Sequence, residues 1–373
     1  MRIAVNARML SQRRPGGIGR YSLETLKRIT ERHREHDFLF IVDRPFSRRK
    51  SFPDNVSVTR IFPSFHPLLW YPWFEWAVPP ILKRFGADLF LSTDGFASLR
   101  APVPTAVAIH DLSFRHHPGD MPPLHRRYFN HFFPKYAKKA KVIVTVSEYS
   151  KRDIAAVFGE PSGKITVTGN GVSDLFFPLP EGEREKARSG LTGGAPYFLS
   201  VGLLHPRKSL VRMIEAFERF RNETPTDAKL VLAGPRLFKT EEIYRTWNRI
   251  GHKRDVLFLG MVPEERLAGL YGGARAFLLV STFEGFGIPA LEAMACGVPV
   301  IASNRTSLPE ICGDAALLVD PYSVASIAGA MKAVFFDDSL RGGLVAKAME
   351  RRKRFSWDRA ADLLWEAAER AMA

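Results

Sequence analysis

The sequence predicts an α/β protein of two doubly wound parallel-sheet units facing across a cleft, and three observations carry the prediction. Short, continuously apolar runs recur through the first half: Ile3–Asn6, Phe38–Val42, Asp88–Ser92, Thr105–Ile109 and Val142–Val146. Stretches of helical period separate them, such as Tyr21–Thr30, where Tyr21, Leu23, Leu26 and Ile29 share a face. Apolar runs of this kind read as strands of a sheet covered on both sides. The pattern then restarts with Tyr197–Gly202, Lys229–Gly234, Val256–Gly260, Ala276–Ser281 and Val298–Ser303. A length of 373 residues suits two domains. Ligands of open α/β sheets sit beyond the carboxyl ends of the strands, which is why a cleft between the two units is expected.

Phe177-Pro-Leu-Pro and Gly193-Gly-Ala-Pro bracket a charged stretch, so residues 177–195 are expected to link a first domain, 1–176, to a second, 196–354. Each half opens with a strand, a loop and an amphipathic helix: Arg2–Ala7 before Tyr21–Arg28, and Tyr197–Gly202 before Leu210–Phe220. The last stretch, 355–373, starts Phe-Ser-Trp-Asp and carries Leu363, Leu364 and Ala367 on an Ala-rich helix whose apolar side needs a surface to cover it.

Apolar residues make up 46% and charged residues 25% of the chain, ordinary globular usage that argues against disorder. The charge balance is less ordinary. Lys and Arg number 54 against 39 Asp and Glu, a net charge of +15. Residues 1–190 hold 30 basic and 18 acidic side chains, residues 191–373 hold 24 and 21, so the excess sits in the first half. It implies an anionic partner, a membrane surface or merely a soluble basic face. Two cysteines, Cys296 and Cys312, exclude a disulfide framework and fit a reduced cytoplasmic interior. The start Met-Arg-Ile-Ala-Val-Asn reads as a strand rather than a signal peptide. No apolar run of about 18 residues is there to span a bilayer.

The strongest sign of chemistry is Ser281-Thr-Phe-Glu-Gly-Phe-Gly-Ile-Pro-Ala-Leu-Glu, continuing Ala-Met-Ala-Cys-Gly-Val-Pro-Val-Ile-Ala-Ser303. It follows an apolar strand, passes through Gly285, Phe286, Gly287 and Ile288, and enters a helix at Pro289, where proline suits the first turn. Glycines ahead of a helix let backbone approach a ligand, and free N–H groups with the helix dipole suit a phosphate. Glu292 is expected in the first turn and Glu284 in the loop before it. Carboxylates beside a phosphate would repel it; they make sense accepting hydrogen bonds from hydroxyls on either side of a diphosphate. Taken singly, each acid reads as a dipole partner or a solvated loop residue. Eight apart across a Gly-x-Gly turn, the pair favours a ligand.

Gly202-Leu-Leu-His-Pro-Arg-Lys-Ser209 follows the strand Tyr197–Val201. Arg207 and Lys208 at its carboxyl end would clamp a diphosphate, although two adjacent bases are as often a solvated face. With no Asp-x-Asp pair and no His/Cys cluster at zinc spacing, no metal is expected. His110 follows Thr105–Ile109 at another carboxyl end and is a candidate for gripping a sugar hydroxyl, against the commoner role of a structural hydrogen-bonder. Gly17-Ile-Gly19, with Ser22 at the third glycine position and Asp43 as ribose acid, is a partial dinucleotide fingerprint that keeps a nicotinamide enzyme open. The loop Met9–Pro15 is too long for the tight turn of that fingerprint, and an acceptor-contacting loop at Gly16 and Gly17 fits better.

Trp70, Tyr71, Trp73, Phe74 and Trp76 cluster in Leu68–Val78, and the three tryptophans are spaced for one helical face. Core packing is the default explanation; a surface dipping into a membrane interface, dependent on Trp70 and Trp73, is the sharper one. Residues 115–152 hold nine basic and two acidic side chains. Anionic lipid headgroups or a lipid-diphosphate acceptor are the expected partners, and nucleic acid is not, because no recognition motif accompanies the charge.

The run from Glu284 to Glu292 resembles the E-x7-E signature of the retaining glycosyltransferases of family 4, and the continuation to Ser303 is similar to that family's usual one. The likeness takes in the Gly-rich N-terminal loop, Ile-His-Asp-Leu-Ser at 109–113, Val-Ser-Glu-Tyr-Ser-Lys at 146–151 and Asn170-Gly-Val. It continues through Pro-Arg-Lys at 206–208, Leu-Pro-Glu at 308–310 and the Phe-Ser-Trp start of the last helix. The resemblance implies a GT-B fold of two Rossmann-like domains, acceptor mainly on the first and nucleotide sugar on the second, with the last helix returning to the first. By the same likeness Glu292 would hold the donor ribose, Glu284 the transferred sugar, and Arg207 and Lys208 the departing diphosphate. His110 would lie near the reacting carbon, Gly16 and Gly17 by donor phosphates or acceptor. Gly202, Gly285, Phe286, Gly287 and Ile288 complete the implied donor set. Transfer would need no metal or other cofactor and no protein nucleophile. It would retain configuration through a front-face, oxocarbenium-like route in which the basic clamp stabilises developing negative charge. Ser209 stands where the family often has Asn, and Thr168-Gly-Asn where Pro-Asn is commoner.

The expected function is transfer of mannose from GDP-mannose, by likeness to mannosyltransferases of surface-polysaccharide assembly, to a saccharide or polyprenyl-diphosphate-linked acceptor. The setting would be cytoplasmic, at the inner face of the cytoplasmic membrane. A UDP-sugar is the near alternative donor. A nucleotide-sugar epimerase, a nicotinamide oxidoreductase and a basic membrane- or nucleic-acid-binding protein are the readings from other classes.

Overall fold

Seven short strands form the first sheet: β1 (Arg2–Asn6), β2 (Asp37–Val42), β3 (Val56–Arg60), β4 (Leu89–Ser92), β5 (Thr105–Ala108), β6 (Val142–Thr145) and β7 (Ile165–Val167). All pair in parallel, in the order β3-β2-β1-β4-β5-β6-β7. The second sheet, also parallel, contains β8 (Tyr197–Val201), β9 (Lys229–Ala233), β10 (Val256–Gly260), β11 (Ala276–Leu279), β12 (Val300–Ser303) and β13 (Ala316–Val319). Its order is β10-β9-β8-β11-β12-β13. Both sheets reverse winding once, between β1 and β4 and between β8 and β11, and such a switch point opens a crevice beyond the strand ends. The computed structural model describes residues 1–12 and 16–373, which divide into Met1–Gly171 with Ser356–Ala373 and, separately, Val172–Phe355.

The ten apolar runs coincide with ten strands. The strands the pattern missed, β3, β7 and β13, all lie at sheet edges and are only partly covered; β3 and β7 also lack a continuous apolar run. Residues 177–195 are not a link between the units but part of the second. Their proline and glycines punctuate a helix, Glu181–Thr192, with Pro180 before it and Gly193 in the left-handed conformation after it. Arg184 Nε donates to the carbonyl of Gly272 at 3.1 Å and fixes this helix to its unit.

The aromatic segment departs from a single helical face. Helix Pro67–Pro72 passes directly into a π-helical turn, Trp73–Ala77, which rotates the later residues relative to an α-helical register. Trp70 and Trp73 are therefore core residues, whereas Trp76 is 58% exposed. Trp70 donates its indole N–H to the Ser64 carbonyl at 2.7 Å. Dependence of membrane binding on Trp70 and Trp73 is thereby excluded: neither presents a surface. The same turn buries Glu75, whose carboxylate accepts from the N–H groups of Leu99 (2.9 Å) and Arg100 (3.1 Å). Burial pushes its pKa up, partly offset by those two donors.

The last helix, Trp357–Met372, belongs to the first unit. Ser356 caps it, accepting from the N–H of Arg359 at 3.0 Å. Leu364, Ala367 and their neighbours are buried, and Trp365 stacks on His33 at 4.0 Å. Arg28 and Arg32 on helix Gly17–Arg32 pair with Asp358, and Arg32 also with Asp362. The close point is Gly171, where a Cβ would fall 2.2 Å from the Trp357 nitrogen and 2.6 Å from its Cγ. Gly171→Ala is expected to cost about 3 kcal/mol as overpacking against backbone and to lower the melting temperature of this unit by roughly 6–12 °C. Gly182→Ala, where a Cβ meets nothing within 4 Å, serves as control and stays at or above the native value in thermal denaturation. Equal melting of the two variants would remove Gly171 as the constraint on the helix's return.

Candidate functional site

The carboxyl ends of β8 and β11, neighbours at the switch point of the second sheet, carry the two motifs. After β8 the chain turns at Gly202, where a Cβ would come 3.4 Å from Lys208 Cε, so the missing side chain leaves room for the lysine. Pro206–Lys208 form one turn of 3₁₀ helix, with His205 Nδ1 accepting from the Arg207 N–H at 3.3 Å. The Arg207 carbonyl accepts from the Thr282 N–H at 2.8 Å, which ties this turn to the loop after β11.

That loop brings Glu284 between the two bases. Arg207 Nη1 lies 3.1 Å from Glu284 Oε2, and Lys208 Nζ donates to Oε1 at 2.6 Å. Arg207 also donates to the Phe283 carbonyl. Glu284 is 7% exposed. Burial alone would raise its pKa, but Arg207 and then Lys208 hold it down at about 2, so the carboxylate is charged at neutral pH. Neither the bases nor the acid is a solvated surface group. The clamp expected to face a diphosphate is closed on an internal carboxylate.

Thr306 and Ser307 hold the loop. The Glu284 N–H donates to Thr306 Oγ1 at 3.0 Å, and Ser307 Oγ donates to the carbonyls of Glu284 (2.9 Å) and Phe286 (3.2 Å). Thr306 has φ 55°, a strained conformation for a β-branched residue. Gly287 has φ 101°, and a Cβ there would strike Leu308 Cδ2 at 2.5 Å, so only glycine fits. Ser209, where the resembling family often has Asn, has φ 52°, a conformation Asn adopts more readily. Thr168 stands where proline is commoner in that family; its hydroxyl pairs with Tyr21 Oη at 3.0 Å, and the Gly169 that follows takes φ 71°.

Helix Ile288–Ala295 starts one residue before Pro289, which puts Glu292 in its second turn, not its first. Glu292 is buried and accepts from Tyr271 Oη at 2.8 Å, so it is no exposed dipole partner. Gly285, Phe286, Gly287 and Ile288 form the passage between the two acids, with Phe286 buried edge-on to Phe355 at 5.6 Å.

His110, Gly16 and Gly17 belong to the first unit. His110 Nε2 lies 2.9 Å from the Thr93 carbonyl, and its ring meets Tyr21 edge-on at 4.9 Å. Burial lowers its pKa, with Thr93, Asp111 and Asp94 pulling the other way, so the imidazole is neutral at pH 7. Nε2–H then donates to the carbonyl and Nδ1 is left as an acceptor for a hydroxyl. Gly16 caps and Gly17 begins helix Gly17–Arg32, both exposed, and the Arg13–Pro15 part of the expected acceptor loop lies outside the described residues. Asp43 accepts from Arg44 (2.9 and 3.0 Å) and Ser64 Oγ (2.9 Å), which commits the acid that a nicotinamide reading would put on a ribose.

Sequence reasoning missed Tyr271, Thr306 and Ser307, which no local pattern connects to the motif. It also missed a buried cluster at the carboxyl ends of β1 and β4. Arg8 Nε donates to Asp94 Oδ2 at 2.7 Å, Asn6 Nδ2 donates to Oδ1 at 2.7 Å, and the Arg8 guanidinium lies 3.8 Å over the Phe96 ring. A polar Asn-Ala-Arg ending an apolar strand was the available signal. Among the described residues one group brings three metal-ligating atoms within 4.8 Å of one another: His33, Glu35 and His36, in the turn before β2. It shares no residue with either strand-end cluster.

Comparison with known proteins gives two family matches, "Glycosyltransferase Family 4" over residues 15–174 and "Glycosyl transferases group 1" over 181–351. The chain is 32% identical to the O-antigen chain mannosyltransferase B of Escherichia coli, over 92% of this chain and 93% of that one. It is 29% identical to the O-antigen chain mannosyltransferase RfbU of Salmonella typhimurium, over 75% and 74%. Among solved structures, Anabaena HepE in complex with UDP and glucose matches with TM-score 0.78 at 20% identity, over 98% of each chain. Sucrose-phosphate synthase of Thermosynechococcus elongatus matches with TM-score 0.77 at 19% identity, over 98% and 97%. The two parallel-sheet units are those of the GT-B fold.

The Glu284 ion triad predicts a pH dependence. Its folded pKa, about 2, lies below the usual 4.5, so the stabilisation is complete above pH 4.5 and lost as pH falls from there through 2. The loss is on the order of 3 kcal/mol. Denaturant unfolding between pH 7 and pH 3 should therefore destabilise the native chain more than Glu284→Gln; parallel losses would show that the carboxylate is not held by the two bases.

Proposed function

The chain belongs to the family 4 glycosyltransferases, and from that membership we propose that it transfers mannose from GDP-mannose, with retention of configuration, to a saccharide acceptor of O-antigen-type polysaccharide. The full-length likeness to an O-antigen chain mannosyltransferase supports the sugar and the pathway class. The observation that carries the reading is the Arg207–Glu284–Lys208 triad at the switch point of the second sheet.

In this reading Arg207 and Lys208 bind the donor diphosphate and neutralise the charge that builds on it as the glycosidic bond breaks. They supply the positive charge a divalent cation would otherwise bring, and the reaction asks for no metal. Glu284, charged throughout, accepts hydrogen bonds from the hydroxyls of the transferred sugar. Glu292, oriented by Tyr271, accepts from the ribose. The backbone from Gly285 to Ile288 lies along the donor, and Gly202 leaves Lys208 its space. His110 offers Nδ1 to a hydroxyl and, being neutral, brings no charge that competes with an oxocarbenium-like centre. No side chain is assigned as nucleophile. The leaving phosphate takes the acceptor proton, and the acceptor is a saccharide carried on a polyprenyl diphosphate.

Arg207→Ala and Lys208→Ala should each weaken GDP-mannose binding about 10–100-fold, the worth of a charge-assisted hydrogen bond, and lower kcat as well. Titration calorimetry with GDP-mannose and UDP-glucose checks both the clamp and the base: saturable binding of GDP-mannose alone is expected. Unchanged affinity in both variants would sink the clamp, and preference for UDP-glucose would move the donor to the UDP series.

A further inference from the structure

Among the described residues, five of the sixteen exposed large apolar side chains fall within fifteen positions: Phe62, Phe65, Leu68, Tyr71 and Trp76. Phe65 is 70% and Leu68 66% exposed, so these side chains stand out of the surface. Leu68 and Tyr71, three apart on helix Pro67–Pro72, share a side of it, and Tyr71 joins that side to Trp76 and to the helix Pro123–Lys139. The Tyr71 ring lies 5.7 Å from Trp76 and 5.7 Å from Phe132 on that helix. Phe132 in turn has Lys135 Nζ 5.7 Å over its ring, and Lys135 lies 2.7 Å from His131 Nε2. Arg127, His131, Lys135, Lys138 and Lys139 are exposed and recur at three- and four-residue spacing along one side of the helix. Charge completes the pattern. Residues 121–147 contain six Lys or Arg and no acid. The single acid of 61–87, Glu75, is buried on the N–H groups of Leu99 and Arg100 and presents nothing to the surface.

We propose that this face seats the protein on an anionic lipid bilayer, with Phe65, Leu68, Tyr71 and Trp76 entering the headgroup layer and the basic side of helix Pro123–Lys139 meeting lipid phosphates. Exposed Trp and Tyr favour the membrane interface, and clustered bases beside them are drawn to anionic headgroups. An acidic protein would complement the charge but would leave the protruding aromatic and aliphatic side chains without a matching apolar partner. The seat deepens the proposed function, resting on its lipid-linked acceptor only for purpose: it would hold the enzyme where such an acceptor lies.

The test is sedimentation with vesicles of phosphatidylcholine and phosphatidylglycerol in a two-to-one ratio, and with phosphatidylcholine alone. The native chain should bind the mixed vesicles and release them as salt is raised. Tyr71→Ser with Trp76→Ser, and separately Lys135→Glu with Lys139→Glu, should each lower partitioning about tenfold or more. Tyr322→Ser, an exposed aromatic of the second unit, should leave it unchanged. Thermal denaturation confirms that each variant folds. GDP release to a water-soluble saccharide acceptor is followed in parallel, so that failure of the transfer reading is seen apart from failure of the seat. Absence of binding to mixed vesicles, equal binding to both compositions, or partitioning unaffected by both double substitutions would overturn the proposal. So would an acidic protein held at this face by a chain that ignores vesicles.

Discussion

A buried carboxylate held charged between two bases is the constraint on which the second unit is built. Charges this far from water are tolerable only when paired, and removing one partner of such a group strands the others. The backbone shows what the pairing demands. Three non-glycine residues among those described have positive φ, Ser209, Lys239 and Thr306, and two of them flank the triad. Ser209 turns the chain from the 3₁₀ turn of Arg207 and Lys208 into the next helix, and Thr306 receives the Glu284 N–H. Gly287 is fixed by the side chain of Leu308. The strained backbone is thus gathered around one ion triad, the arrangement from which the proposed reading of the site starts.

Much of this architecture is written locally. Ten apolar runs find their strands because nearly all are buried on both faces, the edge strand β10 being the exception, and the motif residues fall at carboxyl ends because the motifs directly follow those runs. The edge strands are illegible for the opposite reason: β3 alternates and β7 spans three residues. Proline and glycine around 177–195 mark chain punctuation, yet nothing in one sequence says whether a helix or a link lies between. The π-helical turn at Trp73–Ala77 is likewise invisible to a spacing argument that assumes 3.6 residues per turn. In the site, the acids and bases are legible as types in a pattern. Their mutual pairing is not, because Lys208 and Glu284 are 76 residues apart and meet only through the adjacency of β8 and β11. Tyr271, which orients Glu292, has no signal at all in the chain.

The charge excess also acquires a place. In the second unit, Arg207 and Lys208 at the site are paired with Glu284. In the first unit, acids such as Asp94 and Glu75 are buried in hydrogen bonds, while helix Pro123–Lys139 presents bases outward.

Glu284 pairs with the two bases that the proposed reading gives to a diphosphate. Calorimetric titration of GDP into Glu284→Gln measures this directly, because GDP brings the diphosphate without the sugar. GDP should bind the variant more tightly than the native chain, the competing carboxylate charge being gone, while turnover of the sugar donor collapses. GDP affinity unchanged or weakened, with transfer retained, would contradict that reading.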